Sequence, residues 1–218
     1  MITGATGNVG SEVLYYILQS KFASLTIFCR NEEDLDQTAR KMAQDPRSRI
    51  GIYEVDFKDP YKVTSKVKEA LTFMQGNLEH IFFCHGVINY MGGIDGSFLE
   101  WDNVQKINVR STMQILSICA PFLRQRGGSV SVLSSSAGEK PWPGYTIFNS
   151  AMASLNMMVR CAALENAQFN VRINAVAPGP IESDARTRYE EAENVLSADQ
   201  NNRVLNQERQ NTPLVGFV

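Results

Sequence analysis

Apolar runs of strand length alternate with stretches of helical spacing along most of this chain. That alternation marks parallel βαβ units, and it is the strongest single constraint on what the 218 residues can fold into. Met1 and Ile2 read as the tail of a first strand. A helix follows over 8–20, where Val9, Val13 and Ile17 share one face. The runs 24–29 (SLTIFC), 50–55 (IGIYEV), 80–84 (HIFFC), 129–133 (SVSVL) and 170–176 (NVRINAV) predict further strands. Helical patterns over 32–44, 60–75, 99–125 and 146–168 separate them, the third stopped by Gly127 and Gly128.

The fold class expected from this pattern is α/β: a doubly wound parallel sheet of the Rossmann type, in three αβα layers. Crossovers between parallel strands are right-handed, which places helices on both faces. Ligands of such sheets bind outside the carboxyl ends of the strands. The glycine loop, Arg30, Asp56, Gly86, Ser135 and Pro178 all follow strand ends, so they are expected to converge on one crevice. The chain reads as a single domain over 1–218, and the polar stretch 185–211 as a helix or a lid.

Composition narrows the classes of function. The chain is 44% hydrophobic and 20% charged, with a net charge of −2, so no basic footprint for nucleic acid is evident. No apolar run approaches the roughly 20 residues that span a bilayer. Met1 leads straight into a glycine-rich motif rather than a signal peptide. Cys29, Cys84, Cys119 and Cys161 lack metal-ligand spacing and have no His cluster with them. They read as small hydrophobes in a reducing compartment, cytoplasm or organellar matrix, and no metal site is expected.

The segment Thr3-Gly4-Ala5-Thr6-Gly7-Asn8-Val9-Gly10 joins a strand to a helix. Glycines there allow a tight turn and close approach of the backbone to a pyrophosphate. The helix start then offers free N–H groups and a partial positive charge. About 20 residues further on, an NAD site carries an acidic side chain for the ribose hydroxyls. Here Cys29 is followed by Arg30, whose guanidinium suits the 2′-phosphate of NADP(H). A solvated Arg30, with Asn31, Glu32 and Glu33 opening a helix, is the competing reading.

On these motifs the chain resembles the short-chain dehydrogenase/reductase family, from Thr3 to Val218. Asp56 matches the family's adenine contact. Phe83-Cys84-His85-Gly86 stands where the family reads Asn-Asn-Ala-Gly, and only the glycine survives. Lys106-Ile107-Asn108-Val109 matches the segment of the helix Asn. Ser134-Ser135-Ser136-Ala137-Gly138 matches the catalytic Ser segment, with Ser135 as the Ser. Asn174-Ala175-Val176-Ala177-Pro178-Gly179-Pro180-Ile181 matches the segment behind the nicotinamide. The resemblance therefore implies cofactor contacts from Gly4, Thr6, Gly7, Asn8, Val9, Gly10, Arg30, Asp56, Gly86, Pro178, Gly179 and Ile181.

The family's Tyr-x-x-x-Lys falls on Phe148-Asn149-Ser150-Ala151-Met152, and no lysine occurs after Lys140. In the family the Tyr supplies the proton for the alkoxide, and the Lys lowers the Tyr pKa and holds the nicotinamide ribose. Phe148 has no ionisable proton, and Met152 offers a weak acceptor and no charge. A positioned acid contributes about 10²–10⁴-fold. Ser135 and Asn108 are remnants of the site. Phe148, Met152, Leu155 and Val159 instead form an apolar stripe at helical spacing, as if the cleft wall had closed into core. Tyr145, three residues before Phe148, is a substitute donor to consider, and so is His85, which titrates near neutral pH when unperturbed.

Relative to the family the chain reads as short at both ends. Either the polypeptide continues, with room for a targeting peptide, or a partner covers the open sheet edge. Three functions follow. The first is a catalytically degenerate structural or regulatory subunit that retains NADP(H). The second is an active NADP(H)-dependent oxidoreductase with an unusual proton donor. The third is a sensing module whose 194–211 stretch orders on ligand binding. The resemblance also implies pairing of the helices over 99–125 and 146–168 between subunits, in a homo-oligomer or a larger assembly.

Overall fold

The structure is a computed structural model and describes residues 1–45, 47–88, 93–179 and 181. It divides into two compact units, Met1–Ala177 and Pro178–Val218. In the first, six parallel strands run in the order β3-β2-β1-β4-β5-β6. They are β1 (Ile2–Thr3), β2 (Leu25–Cys29), β3 (Ile50–Glu54), β4 (His80–Phe83), β5 (Gly128–Leu133) and β6 (Val171–Val176). Helices cover the sheet in the three-layer αβα arrangement expected. Although β1 is two residues long, it pairs on both sides: Ile2 with Ile27 and Phe82, Thr3 with Phe28 and Phe83. The strand order reverses between β1 and β4, which opens the crevice there.

Strand periodicity sorts the core into two clusters. Ile27 and Cys29 pack with Leu14, Leu35 and Ala39 beneath α1 (Asn8–Gln19) and α2 (Gln37–Gln44). Phe28, Ile81, Phe83, Val130 and Val132 pack on the other side with Val63 and Val67 of α3 (Pro60–Phe73). Ile115 of α5 (Ser111–Arg126) and Leu155 of α6 (Thr146–Asn166) complete that layer. Each fully buried aliphatic or aromatic side chain stabilises by roughly 1.5–3 kcal/mol. The helix starts are encoded locally. Asp59 accepts from the backbone N–H of Tyr61 and Lys62 ahead of Pro60 in the first turn. Gly127, at φ +77°, closes α5.

Two helices expected to be continuous are divided. The stretch 32–44 is a 3₁₀ turn (Glu32–Asp34) and then α2, because Asn31 caps the turn and Asp36 caps the helix separately. The stretch 99–125 is α4 (Phe98–Val104), a π-helical segment (Gln105–Arg110) and then α5. The wide turn frees carbonyl groups, and hydroxyls one turn later take two of them. Ser111 Oγ donates to Ile107 O at 2.6 Å, and Thr112 Oγ1 to Asn108 O at 3.0 Å.

In the second unit Pro178 and Ile181 are half-buried and Gly179 is exposed. Pro180 and the stretch 185–211 read as a lid, with its 194–211 ordering segment, lie outside the described residues.

Candidate nucleotide site

Gly4 follows β1 at φ +67°, where a side chain is strained, and a Cβ there would lie 2.5 Å from the His85 backbone. The glycine loop is thus pressed against the end of β4. Gly10 lies under the loop, since its Cβ would fall 2.1 Å from Gly4 O. Ala5 is buried beside it, and Thr6 and Val9 are half-buried. Gly7 and Asn8 are exposed at the start of α1, and no side chain caps that helix. The loop therefore leaves a helix N-terminus facing outward with no protein acceptor from its own cap, the arrangement a pyrophosphate requires.

Arg30 and Asp56 sit at adjacent strand ends, since Cys29 pairs with Glu54 and Val55 N–H donates to Cys29 O. Both are exposed. The Asp56 carboxylate accepts from Lys58 N–H at 2.9 Å, which holds the turn after β3. Asn31 Oδ1 accepts from Glu33 N–H, so the local 3₁₀ turn and an exposed Arg30 coexist.

Gly86 follows β4, and its Cβ would stand 3.0 Å from Asn108 Oδ1. A side chain at 86 would therefore press on the Asn108 amide. Asn108 is buried in the π-helical segment. Its amide accepts from Val87 N–H and donates to Val87 O, both at 2.8 Å, and so fixes the loop after β4.

Ser135 lies two residues beyond β5 and caps a 3₁₀ turn (Ser136–Gly138), where its Oγ accepts from Ala137 N–H at 3.2 Å. The neighbouring Ser134 is buried and donates to Asn156 Oδ1 on α6, a tie the sequence pattern did not single out. Gly138 lies directly on α6, its Cβ position 2.7 Å from the Met152 backbone. The π-helical segment also packs against α6, so Asn108, Ser135 and the Phe148–Met152 turn belong to one neighbourhood.

At the two central positions, Phe148 is 8% exposed and Met152 is 4% exposed. Both join the apolar cluster with Ile107, Leu155 and Val159, as the helical stripe predicted. Tyr145 is half-buried at the start of α6.

His85 requires a correction. It follows β4 in a loop, as expected, but it is not an accessible group able to titrate near neutral pH. It is instead buried, with Nδ1 2.6 Å from Thr3 Oγ1 and Nε2 2.7 Å from Ser111 Oγ. Burial pushes its pKa down to about 3, against a weaker opposing pull from the Ile107 carbonyl. It is neutral at working pH and cannot serve as a proton donor there. The signal was available, since His85 directly continues the apolar run of β4.

The cysteines are free thiols. Burial raises Cys29 to about 12, with Glu54, Glu32 and Asp34 adding to the effect, and raises Cys84 to about 11. No group of residues able to hold a metal occurs among the described residues. None of the described helices is long and apolar enough to cross a membrane.

Fold and site together define a Rossmann-type protein with a phosphate loop at its topological switch point. The family model for enoyl-(acyl carrier protein) reductases matches residues 17–215. The human mitochondrial dehydrogenase/reductase SDR family member 2 is 26% identical over 187 residues, which cover 84% of this chain and 65% of that protein. Versicolorin reductase of Emericella nidulans is 23% identical over 184 residues, covering 84% and 69%. Among solved structures, a short-chain dehydrogenase from Burkholderia cenocepacia in complex with NADP superposes with a TM-score of 0.71 at 20% identity, covering 90% of this chain and 75% of that one. A Saccharomyces cerevisiae short-chain dehydrogenase/reductase superposes with a TM-score of 0.79 at 21% identity, covering 96% and 82%. This chain belongs to the short-chain dehydrogenase/reductase family.

Proposed function

We propose that this chain is an NADP(H)-binding member of the family that does not reduce carbonyls by the family's proton-transfer route, and that it serves as a structural or regulatory subunit. The observation that carries this reading is the burial of Phe148 and Met152 in the apolar core of α6. Bound NADP(H) supplies a hydride, but the alkoxide formed also needs a proton. Phe148 has none to give, and no ammonium stands one turn later to hold a ribose hydroxyl or lower a phenol pKa.

The residues fit the cofactor unevenly. Gly4, Gly7, Asn8 and Gly10, with the flanking Thr6 and Val9, form a cradle suited to the pyrophosphate. Arg30 is exposed where a 2′-phosphate would be met, and Asp56 borders the adenine end. Gly86, ordered by Asn108, would border the ribose beyond. The donor set is missing at the nicotinamide ribose, where Met152 stands. An apolar, partly solvated face on α6, with Ala153, Met157 and Leu164 exposed, supports pairing with a second subunit. An intracellular compartment, cytoplasm or organellar matrix, suits the four free thiols.

A second reading is an active oxidoreductase. It is favoured by Asn108 and Ser135, both retained, and by Tyr145 at the head of α6. Nucleotide titration separates binding from its absence. Saturable fluorescence and a thermal shift are expected with NADPH, and weaker ones with NADH. Arg30→Ala is expected to raise the Kd for NADPH by about tenfold and to leave NADH nearly unchanged. A folded chain that binds neither nucleotide would overturn the proposal.

A further inference from the structure

We infer that His85 is a positioning residue that ties the glycine loop to the π-helical turn carrying Asn108, so that the two ends of the nucleotide site are held in one register. The inference rests on the nucleotide-binding reading above.

The hydrogen bonds around the ring have one consistent direction. Ser111 Oγ has a single proton, and it points to Ile107 O at 2.6 Å. Towards the ring, Ser111 Oγ is therefore an acceptor, and Nε2 of His85 donates to it at 2.7 Å. That choice of tautomer leaves Nδ1 with a lone pair, which accepts from Thr3 Oγ1 at 2.6 Å. The chain thus runs from the Thr3 hydroxyl through the neutral imidazole and the Ser111 hydroxyl to the Ile107 carbonyl. Bonds aligned in this way polarise one another and are strongest where water is excluded. Thr3 and Ser111 are 0% and 1% exposed.

The two ends of this chain matter. Thr3 is the last residue of β1 and precedes Gly4, the first glycine of the loop. Ile107 precedes Asn108, whose amide clasps Val87 beside Gly86. Thr112 Oγ1 lies 3.4 Å from Nε2 and donates to Asn108 O, a second connection to the same turn. Stacking of the imidazole on Phe57, at 4.1 Å between centroids and 14° between planes, stops the ring from rotating out of line. An apolar residue at 85 would fill the space but leave Thr3 and Ser111 without their partner, uncoupling the loop from the turn.

The test uses the full chain, labelled with ¹⁵N-histidine, and NADPH as the probe. The chain has two histidines, so loss of one signal set in His85→Gln assigns the other. The expected spectrum gives His85 as a neutral Nε2–H ring whose signals move on NADPH addition. His85→Leu is expected to melt cooperatively yet raise the Kd for NADPH by about tenfold, with His85→Gln recovering most of the loss. Thr3→Val, which removes the hydroxyl and keeps the shape, is expected to raise the Kd in the same direction, and it decides the matter if His85→Leu does not fold. An Nδ1–H ring, His85 signals indifferent to NADPH, or unchanged affinity in Thr3→Val overturns the inference alone. A wild-type chain that binds no nucleotide overturns the underlying reading with it.

Discussion

His85 lies flat on Phe57, with the ring centroids 4.1 Å apart, and Phe83 meets its edge at 5.9 Å. The imidazole is thereby held in an apolar sandwich that disfavours its charged form, and its pKa falls to about 3. In the unfolded chain the same ring titrates near 6.5. Above that pH both states are neutral and the ring adds no pH dependence. As the pH falls from about 6.5 towards 3, the unfolded chain takes up a proton that the folded one refuses, and stability declines by a few kcal/mol. Urea denaturation across that window is expected to show the decline in the wild type and a shallower one in His85→Gln. Equal slopes would place the titrating group elsewhere.

Gly10 and Gly7 differ in what they can accept. A Cβ on Gly10 would overlap Gly4 O at 2.1 Å, whereas one on Gly7 would meet it at an ordinary 3.4 Å. Gly10→Ala is therefore expected to destabilise the chain by about 1–3 kcal/mol or more and to abolish NADPH binding. Gly7→Ala is expected to change stability by less than about 1 kcal/mol, because φ at Gly7 is −79° and suits any residue. Thermal melts of the two variants check the contrast directly.

Met152 offers a test of whether the cleft has closed. At 4% exposure its side chain lies among Ile107, Leu155 and Val159. Met152→Lys is expected to destabilise the chain by about 2 kcal/mol or more, since an ammonium would enter that cluster without a partner. Adding Phe148→Tyr is expected to restore no turnover. A Met152→Lys chain as stable as the wild type would mean that the side chain opens onto a solvated cleft.

The face of α6 bearing Met157 and Leu164 is expected to lie in a subunit interface. Met157→Glu combined with Leu164→Glu should leave the melting temperature within a few degrees and shift a dimer towards monomer in sedimentation, because both side chains are more than half exposed. A wild-type chain that sediments as a monomer at all concentrations would contradict this.

Much of the fold was legible because the period of two in 129–133 and the apolar helical faces record the same layers that the structure builds. The stripe Phe148, Met152, Leu155 and Val159 is legible for the same reason: its spacing encodes burial. The π-helical turn was not legible, since neither its widened backbone nor the hydroxyls at 111 and 112 that take the carbonyls at 107 and 108 leave a trace in hydrophobic periodicity. The contacts of His85 are not legible because its partners are distant in sequence: Thr3 meets it only when β1 and β4 pair, and Ser111 only from the start of α5. Candidate polar positions within apolar runs would have been the clue. Arg30 and Ser135 were placed at strand ends by pattern alone, but their reach towards a ligand is not encoded in spacing.

The most direct test of the central claim is hydride transfer from saturating NADPH to a panel of aldehydes and ketones, followed by NADPH absorbance. With Phe148 and Met152 in the core, binding without oxidation above background is expected. Turnover at ordinary enzymatic rates, about 1–10³ s⁻¹, would contradict it and would point to Tyr145, through Tyr145→Phe, as the proton donor.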